Sequence, residues 1–312
     1  MSSGVFPSAS VRTVAREIRR SILRPPAVGT IGVRPSRPSG PRRRTGYAGE
    51  VPPRTVLLCL ALLAAPAAGQ DVSRDLGAHF PHFRSALVLG DVAGGRTVRH
   101  NPALARERTS PCSTFKIPNS IIGLETGVIP DASFVLPWDG VRRPIPEWNR
   151  GHDLRSAIKY SVVWYYQELA RRVGAERMQK WVSALHYGNE DTSGGIDRFW
   201  LGSSLRISPD EQVDFLARLH AGQLAASARS IAIVKDLLVQ EPPGPGIVYR
   251  GKTGSCRDPG ATDPHGWWVG SIEKEGRLFL YAALIEGPGA SGMVCRPMAE
   301  RALAALGVLP AR

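Results

Sequence analysis

Ser113 and Lys116 are a serine and a lysine three positions apart, within the stretch that runs from Ser110 to Asn119. If a helix begins here, both side chains lie on one face, because residues three apart are neighbours on a helix surface. A serine hydroxyl is a weak nucleophile that needs an adjacent base, and burial favours the neutral amine of a lysine. The pair predicts a nucleophile and its base, although this spacing is common on helices and is weak evidence alone.

A short helix from Ser113 to Thr126 is predicted to position this pair. Ser113 can cap the first turn, and Pro118 comes early enough in the helix to be tolerated. Gly127 is a typical stop signal.

The remaining elements predict an α+β protein. The predicted strands are 85–92, 96–100, 247–255, 267–273 and 278–285. The predicted helices are 153–173 with a break near Ser161, 175–185, 209–219 capped by Ser208, 227–240 and 296–307. Strands at both ends of the chain and helices between them indicate an antiparallel sheet flanked by helices, with a mostly helical subdomain.

Charge is concentrated at the front of the chain. The net charge is +13, and residues 1–54, with 11 Arg and 2 Glu, contribute +9 of it. This segment has no regular interleaving of aromatic residues with its arginines and too few apolar residues to fold, which indicates a solvated tail and no nucleic-acid partner.

An apolar run from Val56 to Ala68 follows this tail. It is shorter than the roughly 20 residues that span a bilayer, and a preceding Arg54 and trailing small residues are typical of a secretory signal. We therefore expect three regions: a disordered extension or misassigned start over 1–54, a signal peptide over 55–69, and a catalytic domain over 70–312. Translation from a later start such as Val51 would explain the unusual length before the apolar run. Cleavage near Ala67 to Gly69 would leave a periplasmic protein without a membrane span.

The cysteines do not indicate a metal site. Cys59 lies in the predicted signal, which leaves Cys112, Cys256 and Cys295 in the exported chain. An odd number in an exported protein is consistent with one bonded pair and one free thiol. No spacing of Cys or His resembles a zinc site, so no metal is expected.

Lys252-Thr253-Gly254 forms a second group of chemical interest, within a strand-like run. A lysine and a threonine on a strand edge can hold a substrate carboxylate, and a glycine permits close approach to the backbone. Residues 246–253 also match the phosphate-loop pattern G-x-x-x-x-G-K-[ST]. That loop must open a helix, whereas Ile247, Val248 and Tyr249 favour a strand and no helical pattern follows.

Several motifs together resemble the class D serine β-lactamases, over about residues 80–309. They are Ser-Thr-Phe-Lys (113–116), Ser-Val-Val (161–163), Tyr-Gly-Asn (187–189), Phe-Trp-Leu (199–201), Lys-Thr-Gly (252–254) and Trp-Trp-Val-Gly (267–270). Class A enzymes have Ser-Asp-Asn as their second motif, where this chain has Ser161-Val162-Val163. The order and separation of the motifs make the resemblance specific.

The resemblance implies hydrolysis of β-lactam antibiotics and hence antibiotic resistance. Ser113 would attack the lactam carbonyl, and Lys116, carboxylated by carbon dioxide, would be the general base for acylation and deacylation. Ser161 would pass a proton to the leaving nitrogen, with electrostatic support from Lys252. No separate cofactor is implied. The pocket of the carbamate would be formed by Phe115, Val163, Trp200 and Leu201.

The same resemblance implies the substrate contacts. Thr253 and Arg296 would bind the substrate carboxylate, and Gly254 would let the substrate approach the strand. The backbone amides of Ser113 and Ser255 would form the oxyanion hole. If Arg296 lies beside Thr253, Cys256 and Cys295 come close enough to bond, which leaves Cys112 as a packed thiol. Tyr187 and Asn189 would shape the floor of the site.

Two other functions share this scaffold. A penicillin-sensing receptor domain would be acylated and stay acylated, and a D,D-peptidase would act on cell-wall peptides. The Ser161 motif and Trp200 favour the hydrolase. The sequence leaves open the range of β-lactams and whether the protein is a monomer or a homodimer.

Overall fold

A six-stranded sheet takes its strands from residues 72–100 and 247–286 in the computed structural model, which describes residues 71–258 and 260–311. Its strands are β1 (Val72–Ser73), β2 (Arg84–Asp91), β3 (Arg96–His100), β4 (Ile247–Cys256), β5 (His265–Lys274) and β6 (Arg277–Glu286). They lie in the order β1-β3-β2-β6-β5-β4. The predicted extension and signal peptide lie outside the described residues.

The predicted antiparallel sheet is confirmed for β2 to β6, and β1 makes the whole sheet mixed. β1 pairs with β3 in the parallel direction, Val72 opposite Val98. The sequence prediction missed β1 because two residues are too few to show the alternation that identifies a strand. The central strand β6 connects the early strands β1 to β3 with the late strands β4 and β5, since it pairs with both β2 and β5.

Helices fill the chain between β3 and β4, and one more follows β6. They are α1 (Lys116–Glu125), α2 (Leu154–Lys159), α3 (Val163–Val173), α4 (Ala175–Ala184), α5 (Pro209–Ala221), α6 (Ala228–Leu237) and α7 (Gly292–Ala305). Short 3-10 turns are Gly77–His79, Leu104–Arg106, Cys112–Phe115 and Pro146–Trp148. In this described part of the chain, none of the helices has the length and apolar character needed to cross a membrane.

Local chemistry accounts for most helix ends. Ser161, with φ +53, separates α2 from α3 at the predicted break. Ser208 begins α5 with the predicted cap, and its hydroxyl and the Glu211 side chain form a reciprocal capping box. The last helix begins before the predicted residue 296, because the Ser291 hydroxyl accepts from the N–H of Val294.

The start of α1 differs from the prediction. The helix begins at Lys116 and is preceded by the 3-10 turn Cys112–Phe115, so Ser113 does not cap it. Cys112 has a left-handed φ of +51, and the chain tightens at this point. The Ser113 hydroxyl is therefore free of helix capping and available for chemistry.

The sheet separates two apolar cores. Alternate side chains of a strand point to opposite faces; thus Trp267 packs with the helices between β3 and β4, whereas Trp268 packs with α7. The same alternation holds along β2, where Val88 and Leu87 belong to different cores. The first core supports α1, which carries Lys116, and the second supports the opposite face of β4.

We expect Gly270→Ala to destabilise the pairing that places β4. A Cβ at Gly270 would overlap the carbonyl oxygen of Arg250 and approach the Tyr281 hydroxyl to 2.6 Å. Overpacking of this kind costs about 1–3 kcal/mol, measurable by denaturant unfolding. Gly244→Ala is the matched control, because the nearest atom to its new Cβ would be Pro310 Cγ at 3.5 Å. Equal stability of the two variants would contradict this account of the β4–β5 contact.

Candidate active site

The predicted nucleophile and base are in direct contact. Lys116 Nζ donates a hydrogen bond to Ser113 Oγ at 2.7 Å. Ser113 is half-buried, whereas Lys116 has no exposed surface. The 3-10 turn therefore presents the serine to a substrate and keeps the lysine away from water.

Burial sets the chemistry of Lys116. Removal of the amine from water lowers the pKa of Lys116 well below its ordinary value, and repulsion from Lys252 lowers it further. The amine also lies 5.3 Å from the ring centroid of Tyr166. Sequence reasoning missed Tyr166, although its position three residues after Val163 on a helix places it on the same face.

A second serine–lysine pair lies beside the first. Lys252 Nζ donates to Ser161 Oγ at 3.0 Å, and it is 3.1 Å from the carbonyl oxygen of Thr253. Burial lowers the pKa of Lys252 to about 7. Ser161 reaches this contact because its left-handed backbone turns the chain between α2 and α3. The predicted residues of three distant segments, Ser113 with Lys116, Ser161, and Lys252, thus lie in one site.

The edge strand β4 supplies one wall of the site. Successive residues of a strand face opposite sides of the sheet. One side of β4, formed by Lys252, Gly254 and Cys256, therefore meets the 3-10 turn Cys112–Phe115, which we call the nucleophile turn. A Cβ at Gly254 would lie 2.9 Å from the Pro111 carbonyl oxygen. Gly254 is therefore required for close packing of the strand on the turn that carries Ser113.

Backbone groups of β4 face the site from the open edge. Gly251 donates its N–H to Leu238, and Tyr249 accepts from the N–H of Gln240, so these residues direct their backbone groups away from β5. In an antiparallel strand this direction repeats every second residue. The N–H of Ser255 consequently points to the same open edge, as an oxyanion hole requires.

Trp200 has the property that the predicted carbamate pocket needs. Its ring has no exposed surface, and its Nε1–H has no hydrogen-bond partner in the described structure. It stacks on Phe115, with ring centroids 5.5 Å apart. Leu201 and Val163 are half-buried. An unpaired buried donor is costly, so this N–H is consistent with an acceptor that binds there.

The predicted carboxylate-binding residues lie on the α7 side of the strand. The half-buried Thr253 packs against Gly292, where a Cβ would come within 2.7 Å of the threonine Cβ. Arg296 lies in the second turn of α7, because this helix begins at Gly292 and not at the predicted residue 296. Its guanidinium stacks 4.6 Å from the ring centroid of Trp268 and donates to Glu300 and Gln240. No hydrogen bond joins Arg296 to Thr253 in the described residues.

Tyr187 contacts the nucleophile turn, whereas Asn189 contacts the segment before α5. The Tyr187 hydroxyl is 3.5 Å from Thr114 Oγ1. Gln212, which the sequence analysis did not select, donates to the same threonine oxygen at 2.8 Å. Asn189 Oδ1 accepts from the N–H of Arg206 and fixes the following loop.

The proposed pairing of Cys256 with Cys295 is wrong. Cys256 bonds to Cys112, with Cα atoms 5.8 Å apart, and Cys295 is a free buried thiol. Cys295 packs in the core beneath the opposite face of the sheet, where its Sγ lies 3.6 Å from the carbonyl oxygen of Ala283. Cys112 is therefore a disulfide partner and not a packed thiol.

His265 completes a cluster at this disulfide. Ligand atoms of Cys112, Cys256 and His265 lie within 4.8 Å of one another, a spacing compatible with a metal ion. Because the two sulfurs are bonded to each other, the cluster holds no thiolate ligand in this state. His265 Nε2 instead lies 2.9 Å from the carbonyl oxygen of Ser110.

The nucleophile turn carries Ser113 against the antiparallel edge strand β4, and the buried Lys116 begins the helix that follows. This arrangement is that of a serine acyl-transfer enzyme. A family model described as the penicillin binding protein transpeptidase domain matches residues 90–304. The fold and the family model therefore agree on the class of protein.

Individual relatives narrow this class. β-Lactamase OXA-48 of Klebsiella pneumoniae is 40% identical over 77% of this chain and 91% of its own length. The solved structure of BPu1 β-lactamase is 40% identical, with a TM-score of 0.71, over 77% of this chain and 99% of that chain. The regulatory protein BlaR1 of Bacillus licheniformis is 36% identical over 60% of this chain, but only 31% of its own length. The chain belongs to the class D β-lactamases, a family of serine hydrolases.

We expect Lys252→Leu to remove a pH dependence of stability. In the unfolded chain the Lys252 amine keeps its proton to about pH 10.4, whereas in the folded protein it loses the proton near pH 7. Between these values unfolding takes up a proton, so the free energy of unfolding of the wild type rises with pH. Relative to Lys252→Leu, the wild type should gain stability from pH 7 to pH 10.

Denaturant unfolding in bicarbonate-free buffer measures this difference. Lys180→Leu, at an exposed lysine on α4, is the control and should track the wild type at each pH. Parallel stability curves for wild type and Lys252→Leu would contradict a neutral Lys252 in the folded protein.

Proposed function

We propose that this protein hydrolyses the ring of penicillin-type β-lactams through an ester on Ser113, and so confers antibiotic resistance. The main observation in support of this activity is the 2.7 Å contact between Ser113 Oγ and the amine of the fully buried Lys116. Membership of the class D β-lactamases supports the same activity. No metal is needed for it.

The first stage is acylation of Ser113. Ser113 Oγ attacks the lactam carbonyl carbon, and the carbonyl oxygen becomes an oxyanion. The N–H groups of Ser113 and Ser255 donate to this oxyanion, and such preorganised donors are among the largest contributions to catalysis. Gly254 brings the strand close enough for Ser255 to take part.

Lys116 fits carboxylation by carbon dioxide. A neutral amine is required for this reaction, which forms an N–C bond and releases one proton, and the lowered pKa of Lys116 supplies the neutral form. The unpaired Nε1–H of Trp200 can donate to the product, in a pocket walled by Phe115, Val163 and Leu201. Once present, the carbamate supplies a carboxylate base that accepts a proton from Ser113 and later from water.

Departure of the lactam nitrogen needs a proton. Ser161 donates its hydroxyl proton to this nitrogen and is supported by the hydrogen bond from Lys252 at 3.0 Å. With a pKa of about 7, Lys252 can hold or release a proton near neutral pH. It can therefore return the proton that Ser161 loses.

Thr253 and Arg296 remain our proposal for the substrate carboxylate. Thr253 Oγ1 lies 3.3 Å from Lys252 Nζ, which places a hydroxyl and a cation together on the strand. Arg296 is already held by Glu300 and Gln240. We infer that Arg296 attracts the substrate carboxylate by its charge without direct contact, or that its guanidinium turns away from Glu300 to bind the carboxylate.

We propose that the protein acts in the periplasm. The apolar run of residues 55–69 would direct export and be removed, and residues 70–312 would form the catalytic domain. The absence of a membrane-spanning helix in residues 71–258 and 260–311 is compatible with this location.

Steady-state hydrolysis of a chromogenic cephalosporin tests the function. We expect multiple turnovers that accelerate when bicarbonate is added, because bicarbonate restores the carbamate on Lys116. Ser113→Ala should abolish turnover in both buffers. A single stoichiometric burst in both buffers would instead favour a penicillin sensor, the second candidate, which the match to a regulatory protein supports.

We expect Trp200→Phe to slow deacylation more than acylation. Phenylalanine keeps the stack on Phe115 but removes the Nε1–H, so the carbamate loses its donor. Deacylation should fall about 10²-fold or more, the effect of losing one preorganised donor, and excess bicarbonate should partly restore it. Trp181→Phe, at a half-buried tryptophan on α4 outside the site, is the control. Unimpaired turnover of Trp200→Phe without bicarbonate would refute the role of the carbamate.

A further inference from the structure

We propose that the Cys112–Cys256 disulfide positions the two donors of the oxyanion hole, so that its reduction slows acylation of Ser113. This inference rests on the proposed function and extends it to residues that do not touch the substrate. In this role the two cysteines are positioning residues.

The disulfide joins the neighbours of both donors. Cys112 immediately precedes Ser113, and Cys256 immediately follows Ser255. The two cysteines are 144 positions apart in sequence, but their Cα atoms are 5.8 Å apart. One covalent bond therefore limits the distance between the two peptide units whose N–H groups bind the oxyanion.

Both segments need such a restraint. Cys112 adopts a φ of +51, which residues other than glycine rarely adopt. Cys256 is the last residue of β4, an edge strand, and the loop to β5 begins directly after it. The N–H of Ser113 thus follows a strained residue, whose backbone conformation persists only while its surroundings hold it. The N–H of Ser255 lies near a strand end, where local opening is easy.

Hydrogen bonds hold the turn at a separate point. The Ser110 carbonyl oxygen accepts from Trp267 Nε1 at 2.9 Å, and His265 Nε2 lies at the same distance from it. His265 Nε2 is also 3.1 Å from the Cys112 sulfur. These contacts fix the beginning of the turn to β5. They do not act at Ser113 itself, where the covalent bond to β4 provides the restraint.

Asp258 forms a third attachment, two residues beyond Cys256. Its carboxylate accepts from Thr109 Oγ1 at 2.6 Å and from the N–H of Ser110 at 3.2 Å, and it pairs with Arg206. Because these attachments persist after reduction, the fold should survive while the position of the donors relaxes. This separates a positioning role from a purely structural one.

Reduction of the disulfide is a balanced exchange with a dithiol. A thiolate of the reductant attacks one sulfur, the Cys112–Cys256 bond breaks, and two protein thiols form while the reductant closes to its cyclic disulfide. Two electrons and two protons pass to the protein. Cys112 is fully buried and Cys256 is half-buried, so attack occurs at the Cys256 sulfur.

The test compares four forms of the exported protein: oxidised wild type, reduced wild type, Cys112→Ala/Cys256→Ala and Cys295→Ala. The reduced protein is desalted without oxygen before the assay, because free thiols open β-lactam rings. A chelator is present throughout, because two thiols and His265 could bind a metal. Mass spectrometry after alkylation establishes the redox state of each sample.

Two readouts report on the oxyanion hole, and both are taken below the melting temperature of every form. The first is kcat/KM for a chromogenic cephalosporin, together with the deacylation rate. The second is the infrared carbonyl stretch of the ester on Ser113, which rises in frequency when its hydrogen bonds weaken. A change in stability alone would not move this frequency.

We expect reduced wild type and the double variant to lose about tenfold or more in kcat/KM, less than removal of a whole donor. Their ester stretch should shift to higher frequency, and reoxidation should restore the wild type. Cys295→Ala also loses a buried sulfur and should match the oxidised wild type. The in-place reduction keeps the test valid if the double variant does not fold.

Three results would overturn the proposal and leave the proposed function intact. They are an isolated protein without this disulfide, a lowered melting temperature with unchanged kcat/KM and ester stretch, and equal activity of oxidised and reduced wild type. Failure of the oxidised wild type to form an ester on Ser113 would instead reject the proposed function.

Discussion

The removal of Lys116 from water is the constraint on which the rest of the site depends. A lysine in water is protonated and cannot act as a base, whereas burial lowers the pKa of Lys116 and so favours the neutral amine, which lies 2.7 Å from Ser113 Oγ. Burial of the amine has a cost, which the first apolar core offsets by packing α1 against α3 and α6. Lys252 adds positive charge nearby and makes protonation of Lys116 still less favourable. The apolar packing that stabilises the fold therefore also creates the reactive group.

The edge strand β4 gives the site its second half through simple alternation. Lys252, Gly254 and Cys256 meet the nucleophile turn, while Thr253 and Ser255 face α7, where Ser255 Oγ accepts from the N–H of Gly292. An edge strand is required because only an unpaired edge leaves the N–H of Ser255 available. One edge of β4 thus pairs with β5, and the open edge is available to bind the substrate.

Much of this could be predicted from residue type and period. Ser161 at a helix break, the capping box at Ser208 and the strand through Lys252 follow from local chemistry. The Cys256–Cys295 pairing failed because it followed proximity to Arg296 and ignored strand alternation: Cys256 is four residues from Lys252, so both belong on the face of Ser113, whereas Cys295 lies beneath the other face. Arg296 and Glu300 are four residues apart on α7, so their contact follows from helix spacing. The contacts of Arg296 with Gln240 and of Tyr166 with Lys116 depend on tertiary packing, which no local pattern encodes.

The pairing of β6 with both β2 and β5 has a consequence for when the site comes into existence. Residues 84–91 can pair with β3 early, but they cannot pair with β6 until residues 279–286 have been synthesised. Folds with such distant pairings are slow to form. A partly synthesised chain contains Ser113 and Lys116 but neither the edge strand β4 nor Lys252. The active site is therefore incomplete until β4 has joined the sheet, because Lys252 and the N–H of Ser255 both belong to that strand.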